Sequence, residues 1–150
     1  MLKGIVAMDE SRVIWNRDKL PRHYSEDLKR FKQLTQWQIC LMWRKTYEGL
    51  KQYRPNADGY PYAKENLIFS SSLDGAIHSI EELQQKYWNE IVWVLWWAKT
   101  FETLMPYIDE LYLTLIPWTH KWDSFMPPIT LEHRELQGEK DWLKFYRYTK

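Results

Sequence analysis

Apolar and polar positions along the chain change period several times, and each change marks an element. Leu2–Met8 is a short, nearly continuous apolar run that fits a buried strand. From Ser25 to Thr35 the period becomes helical: Leu28, Phe31 and Leu34 share one face, Ser25 is the natural N-cap, and Glu26 and Asp27 complement the positive end of the helix dipole. Gln38–Met42 predicts a second strand and Arg44–Lys51 a short helix. Asn66–Ser70 predicts a third strand, and Ser79-Ile-Glu-Glu82 is a capping box opening a helix to about Tyr87. A buried strand over Glu90–Leu95, a helix over about Ala98–Met105 and a strand over Glu110–Ile116 follow. Segments rich in β-formers around Ile129–Leu136 and Leu143–Tyr148 close the chain. Strands alternating with helices, then β alone, predict an α/β fold in one domain spanning residues 1–150. Its sheet is mixed and mostly parallel, flanked by helices, with an antiparallel C-terminal edge. Ligands of such sheets bind beyond the carboxyl ends of the strands. The segments after Met8, Met42, Ser70 and Leu95 are therefore the places to look for chemistry.

Composition narrows the function classes. At 45% hydrophobic and 27% charged, the chain can bury one core without disulfides or metals. Twenty-one basic against 20 acidic residues leave a net charge of +1, which offers nucleic acid or an anionic membrane no general attraction. Cys40 is the single cysteine, which excludes an internal disulfide and fits a reducing compartment. Met1–Met8 is too short and too soon charged for a signal peptide, and no apolar run approaches the roughly 20 residues of a membrane span. The expectation is a soluble, cytoplasmic monomer. Its four histidines show no metal-ligand spacing, so no metal is expected. One count departs from the ordinary: 10 Trp against 5 Gly, where average usage predicts roughly 10 Gly in this length. Trp15, Trp37, Trp88, Trp118, Trp122 and Trp142 all fall in apparent turns, where glycine is favoured because it adopts positive φ without a Cβ clash.

Several words at the strand ends are shared, in order and with their spacing, with one enzyme family. Val13-Ile14, Leu20-Pro21, Glu26-Asp27-Leu28-Lys29-Arg30-Phe31, Met42-x-Arg44-Lys45-Thr46-Tyr47-Glu48, Asn66-Leu67-Ile68-Phe69-Ser70-Ser71 and Leu111-Tyr112-Leu113-Thr114 together resemble the dihydrofolate reductases. Val94-Leu95-x-x-Ala98-Lys99-Thr100-Phe101 falls where that family has a Gly-Gly segment. The resemblance implies reduction of dihydrofolate by NADPH, an oxidoreductase step of tetrahydrofolate biosynthesis and one-carbon metabolism. It places Asp27 as the carboxylate holding the pterin's amino edge, helped by the Thr114 hydroxyl. Ile5, Val6, Leu28 and Phe31 would line the folate pocket, with Lys64 where the family has an arginine for the substrate's glutamate tail. Ala7, Ile14, Arg44, Lys45, Thr46, Ser70, Ser71, Leu95, Lys99 and Thr100 would hold the cofactor. Without the resemblance, Asp27 reads as a dipole partner in a first helical turn, Thr114 as a β-former, and Lys29-Arg30-x-Lys32 as the wet face of a helix.

Departures from the family pattern cluster. Trp15, Trp43, Trp96, Trp97 and Trp122 stand at family glycine positions, four of them around the cofactor cleft, and Arg22 replaces a tryptophan after Leu20-Pro21, beside Tyr24. An indole carries about 150–250 Å² of apolar surface into space meant for ligand or bare backbone. Trp43 would stand where a diphosphate approaches helix N–H groups. The expectation is therefore a reductase architecture with an impaired active site and weak or absent NADPH binding. Two alternatives stand beside it: a working reductase with a rearranged cleft, and a non-catalytic module binding sugars or single-stranded bases through exposed indoles.

Overall fold

The computed structural model describes residues 1–14, 25–43, 63–69, 81–95, 104–117 and 125–150. Seven strands form one sheet: β1 (Leu2–Asp9), β2 (Ile39–Trp43), β3 (Glu65–Phe69), β4 (Val92–Leu95), β5 (Glu110–Ile116), β6 (His133–Lys140) and β7 (Leu143–Thr149). Their order is β3-β2-β4-β1-β5-β7-β6. The five from β3 to β5 are parallel, whereas β7 and β6 join antiparallel to β5 and to each other. This is the mixed, mostly parallel sheet with an antiparallel C-terminal edge that the pattern predicts.

β1 is central, its two edges paired with β4 and β5, and residues on both its faces are buried, as its nearly continuous apolar run requires. Gly4, Ile5, Val6 and Ala7 are buried in succession, as is all of Val92–Leu95 in β4. β6 is the opposite case. Its sequence HRELQGEK is almost wholly exposed, and as an edge strand its charges discourage further pairing. The apolar signal placed this strand around Ile129–Leu136, but pairing with β7 begins at His133. Ile129 and Leu131 instead pack on the core from extended chain ahead of the strand. A register shift at Leu136/Gly138 then carries the polar strand to Lys140.

α1 (Ser25–Thr35) has the bounds its periodicity predicts, with Glu26 and Asp27 in the first turn and Lys32 in the last. The helix expected after the capping box is present over 81–86. The end of the helix expected to Met105 is a 3-10 turn, Met105–Tyr107, with proline in its first turn. The helix expected over Arg44–Lys51 lies outside the described residues.

Backbone strain concentrates in connections. Among the described residues, four non-glycine residues have positive φ: Arg12 (68°), Trp37 (60°), Asp141 (52°) and Trp142 (70°). Trp37 follows the end of α1, where glycine commonly terminates a helix. Asp141 and Trp142 are the two residues between the paired Lys140 and Leu143, a tight hairpin whose favoured sequence is Asn-Gly or Asp-Gly. Left-handed backbone at an ordinary L-residue costs roughly 1–2 kcal/mol. Arg12 is held by local bonds: Asp9 Oδ1 accepts from the Ser11 and Val13 amides, and Arg12 Nη2 donates to the Met126 carbonyl at 3.0 Å. That knot, with bridges Met8–Ile14 and Val13–Phe125, folds the chain back over the carboxyl end of β1.

Candidate active site

The site begins with strand register. Ile5 lies beside Tyr112, and Ala7 beside Thr114, so all four project from the same side of the sheet. Phe145 of β7 pairs with Thr114 and shares that side. α1 covers it. The Arg30 guanidinium, from the middle of α1, sits 4.6 Å from the Phe145 ring centroid and 5.9 Å from that of Tyr112. Asp27, one turn earlier on the same helical face, is 1% exposed, Phe31 is buried, and Thr114 is 3% exposed. Asp27, Phe31, Ile5, Ala7 and Thr114 are thus gathered between α1 and the carboxyl-terminal halves of β1 and β5. A buried carboxylate and a buried strand hydroxyl at the ligand-binding end of a parallel sheet can recognise a planar, nitrogen-rich donor edge.

Other expected residues are placed differently. Val6 is fully buried but projects from the opposite side of the sheet to Ile5 and Ala7, so its side chain is not brought to the Asp27 pocket. Leu28 lies in α1, and Trp43 ends β2 beside Phe69. Ile14 is buried against Met8, and Leu95 is fully buried at the end of β4, level with Ile5. Lys64 lies at the other end of the sheet. Its amide donates to the Gln38 carbonyl and its ammonium is 3.4 Å from Glu90. There it borders a cavity of about 290 Å³ with Trp37, Gln38, Ile39, Asn89 and Ile91. Eight residues of α1 separate Asp27 from the helix end beside that cavity, about 12 Å of rise. Arg44, Lys45, Thr46, Ser70, Ser71, Lys99 and Thr100, together with Trp15, Arg22, Trp96, Trp97 and Trp122, lie outside the described residues.

Two features escaped the sequence reading. The first is Arg30, assigned to a wet helix face because Lys29 and Lys32 flank it. Both lysines are exposed, but Arg30 turns inward. Its Nη2 donates to Gln137 Oε1 at 2.6 Å, and its buried Nε has no hydrogen-bond partner among the described groups. Burial lowers the Arg30 pKa, while Tyr112 and Asp27 oppose that shift by favouring the cation. The i+3 spacing from Asp27 was the available signal. The second feature is a charged layer beneath the site on the same side of the sheet. Lys3 lies 5.6 Å from the Trp93 ring and 5.7 Å from Tyr112, whose rings are 5.2 Å apart. Lys3 also pairs with Glu110 at 3.1 Å, and Arg147 hydrogen-bonds the same carboxylate. Burial pushes the Glu110 carboxyl up, but hydrogen bonds from Arg147 and Lys3 outweigh it and hold the pKa below the ordinary value.

Among the described residues, no group of three or more His, Cys, Asp or Glu could hold a metal ion. No described helix is long and apolar enough to cross a membrane. Cys40 is buried, and burial pushes its thiol up to about 12, so it is a packed apolar group rather than a nucleophile.

Comparison with known proteins agrees with this geometry. Residues 1–144 match the sequence model for dihydrofolate reductase. A dihydrofolate reductase of Staphylococcus aureus (strain Mu50) is 32% identical over 135 residues, 90% of this chain and 83% of that protein. One from Bacillus subtilis (strain 168) is 30% identical over 159 residues, 99% of this chain and 90% of that protein. Among solved structures, dihydrofolate reductase from Enterococcus faecalis complexed with NADP(H) and RAB-propyl superposes with a TM-score of 0.71 at 25% identity, covering 99% of this chain and 95% of that one. With its strand order, its buried Asp27 and Thr114, and these relatives over nearly its whole length, the chain belongs to the dihydrofolate reductase family.

Proposed function

We propose that the chain binds dihydrofolate between α1 and the carboxyl ends of β1 and β5. It reduces the substrate with NADPH, and with tryptophan at 15, 43, 96, 97 and 122 it does so poorly. The observation carrying the folate half is that a carboxylate of α1, Asp27, and a hydroxyl of β5, Thr114, are both buried, with Thr114 level with Ala7 on the side of the sheet that α1 covers. Asp27 accepts from the pterin's amino edge, Thr114 orients that contact, and Ile5 and Phe31 exclude water from the ring. Lys64, a helix length away, suits the far end of an elongated substrate. NADPH, when bound, would supply the hydride, and a proton from solvent would complete the reduction at the neighbouring ring nitrogen. Ala7, Ile14 and Leu95 offer an apolar wall at the strand ends, and the basic and hydroxyl residues Arg44, Lys45, Thr46, Ser70, Ser71, Lys99 and Thr100 suit its phosphates. That donor set fits the cofactor, whereas indoles at the family's glycine positions would oppose it: each 1.4 kcal/mol lost is tenfold in affinity, and several bulky side chains would compound the loss. Arg22, where the family has tryptophan, would add a cation to the folate side.

The test is NADPH titration of this chain beside a form with glycine at 15, 43, 96, 97 and 122, with dihydrofolate binding measured on both. Dihydrofolate binding to both forms is expected, with NADPH binding and turnover markedly stronger in the glycine form. Equal NADPH affinity in the two forms overturns the steric reading and favours a working reductase with a rearranged cleft, a reading supported by the undisturbed sheet. Asp27→Asn is expected to weaken dihydrofolate binding roughly 10- to 100-fold, the scale of a lost charge-assisted hydrogen bond. A module binding sugars or bases through exposed indoles is disfavoured. Trp37 and Trp88 lie near the amino ends of the parallel strands, and Trp142 in the hairpin beyond the carboxyl end of β5, so they form no common platform.

A further inference from the structure

Among the described residues, Trp93 on the one hand and Trp37 and Trp142 on the other stand in opposite kinds of place. Trp93 is 3% exposed in β4, tilted against Tyr112 and beneath the Lys3 ammonium, in a layer built around a wide ring. Trp37 and Trp142 are 75% and 79% exposed, each in a tight connection with positive φ. Glycine enters that conformation freely and tryptophan does not. At Trp142 the demand is specific: Asp141 and Trp142 both have positive φ in a two-residue hairpin, the geometry for which Asp-Gly is preferred. Trp37 stands where a helix is ended by a left-handed residue, again a glycine position.

Neither residue is among the five that family position marks, which are Trp15, Trp43, Trp96, Trp97 and Trp122. Backbone conformation and family position are separate observations, yet both find the same exchange, tryptophan where glycine belongs. The composition, 10 Trp and 5 Gly, has the same sign. Drift or selection away from glycine would introduce small residues such as Ala and Ser first, because they add least to a turn. A one-for-one exchange with the bulkiest residue points instead to a single codon with two meanings.

We infer that the working protein carries glycine at positions 37 and 142, and at 15, 43, 96, 97 and 122, because the organism that makes it reads UGA, a codon some genetic codes assign to tryptophan, as glycine. Trp93 is then a true tryptophan, encoded by UGG. The five cofactor-side positions rest on the reductase reading above; positions 37 and 142 stand on backbone geometry alone. The consequence is functional. On the reductase reading, glycine at the family's glycine positions removes the bulk that opposes NADPH, and the protein is a competent reductase in its own cell.

The experiment has two arms. The first reads the gene and the peptides of the protein purified from its source cells by mass spectrometry. UGA codons and glycine-containing peptides are expected at 37, 142 and the five cofactor-side positions, with UGG and tryptophan at 93. UGG at 37 or 142, or tryptophan in those peptides, overturns the inference. The second arm compares NADPH affinity and dihydrofolate-dependent oxidation in recombinant forms carrying tryptophan or glycine at all seven positions, with a gain of roughly tenfold or more expected for glycine. Glycine peptides from a protein whose glycine form ignores NADPH would sink the reductase reading and leave the decoding intact. UGG codons in a gene whose glycine form binds NADPH would do the reverse.

Discussion

Trp93 and Trp142 set the same side chain in opposite surroundings. In β4 the ring lies in a layer with Tyr112 and Lys3, flanked by strands on both sides, and nearly all of its surface is withdrawn from water. In the β6–β7 hairpin the ring is solvent-exposed and its backbone is held at φ 70°. The first environment turns bulk into packing and hydrophobic gain. The second obtains neither and bears the steric load of a Cβ in left-handed backbone. Residue identity alone therefore says little about whether a tryptophan supports this fold. Strand or turn, and the sign of φ, decide it.

The comparison can be broken most directly at Trp93. Trp93→Ala is expected to destabilise by about 3–5 kcal/mol, the range for emptying a packed aromatic site, read as a lower denaturant midpoint at unchanged slope. A loss under about 1 kcal/mol would mean that the layer is not built around the ring. The charged rim of the same layer is the next test. Because the Glu110 pKa is held low, its contribution to stability is complete above the ordinary carboxylate range and is lost as pH falls through its own lower value. Glu110→Gln should therefore lose about 1–3 kcal/mol at neutral pH, and the gap to the parent should close in acid. A gap independent of pH would show that packing, not charge, sets it.

At the turns the sign reverses. Trp142→Gly and Trp37→Gly are each expected to stabilise by up to about 1 kcal/mol, after the added freedom of glycine in the unfolded chain is deducted. Lower melting temperatures in both would erase the contrast with Trp93. The smallest effect concerns Arg30. Arg30→Met removes the cation beside Asp27 while leaving Tyr112 and the Lys3–Glu110–Arg147 cluster in place. The pH profile of dihydrofolate binding should move to higher pH by less than about one unit. A purely structural Arg30 would change melting temperature and leave that profile where it was.

Periodicity was enough to find α1 and the central strands, because Leu28, Phe31 and Leu34 recur at helical spacing and β1 and β4 are buried on both faces. It misplaced β6, whose residues are polar; only the partner β7 and the shift at Leu136/Gly138 define where that strand runs. At the site, Asp27 and Thr114 were readable through family words, and the structure buries both. Arg30 was hidden because two solvated lysines flank it, and linear charge pattern cannot show which way a side chain turns. The resemblance grouped Val6 with Ile5, although alternation along a strand sends neighbours to opposite sides.

The central place of β1 also shapes how the chain reaches this fold. The amide of Leu2 bonds Asp109 across 107 residues, and β1 finds its strand partners only at Val92 and Glu110. During synthesis the first strand therefore emerges long before either neighbour exists. Its buried row from Gly4 to Ala7 must be kept from other partners while most of the chain is still being made. Such long-range pairing slows folding and lengthens the exposure of sticky intermediates. The core of this protein therefore closes late, around a strand made well before either of its neighbours.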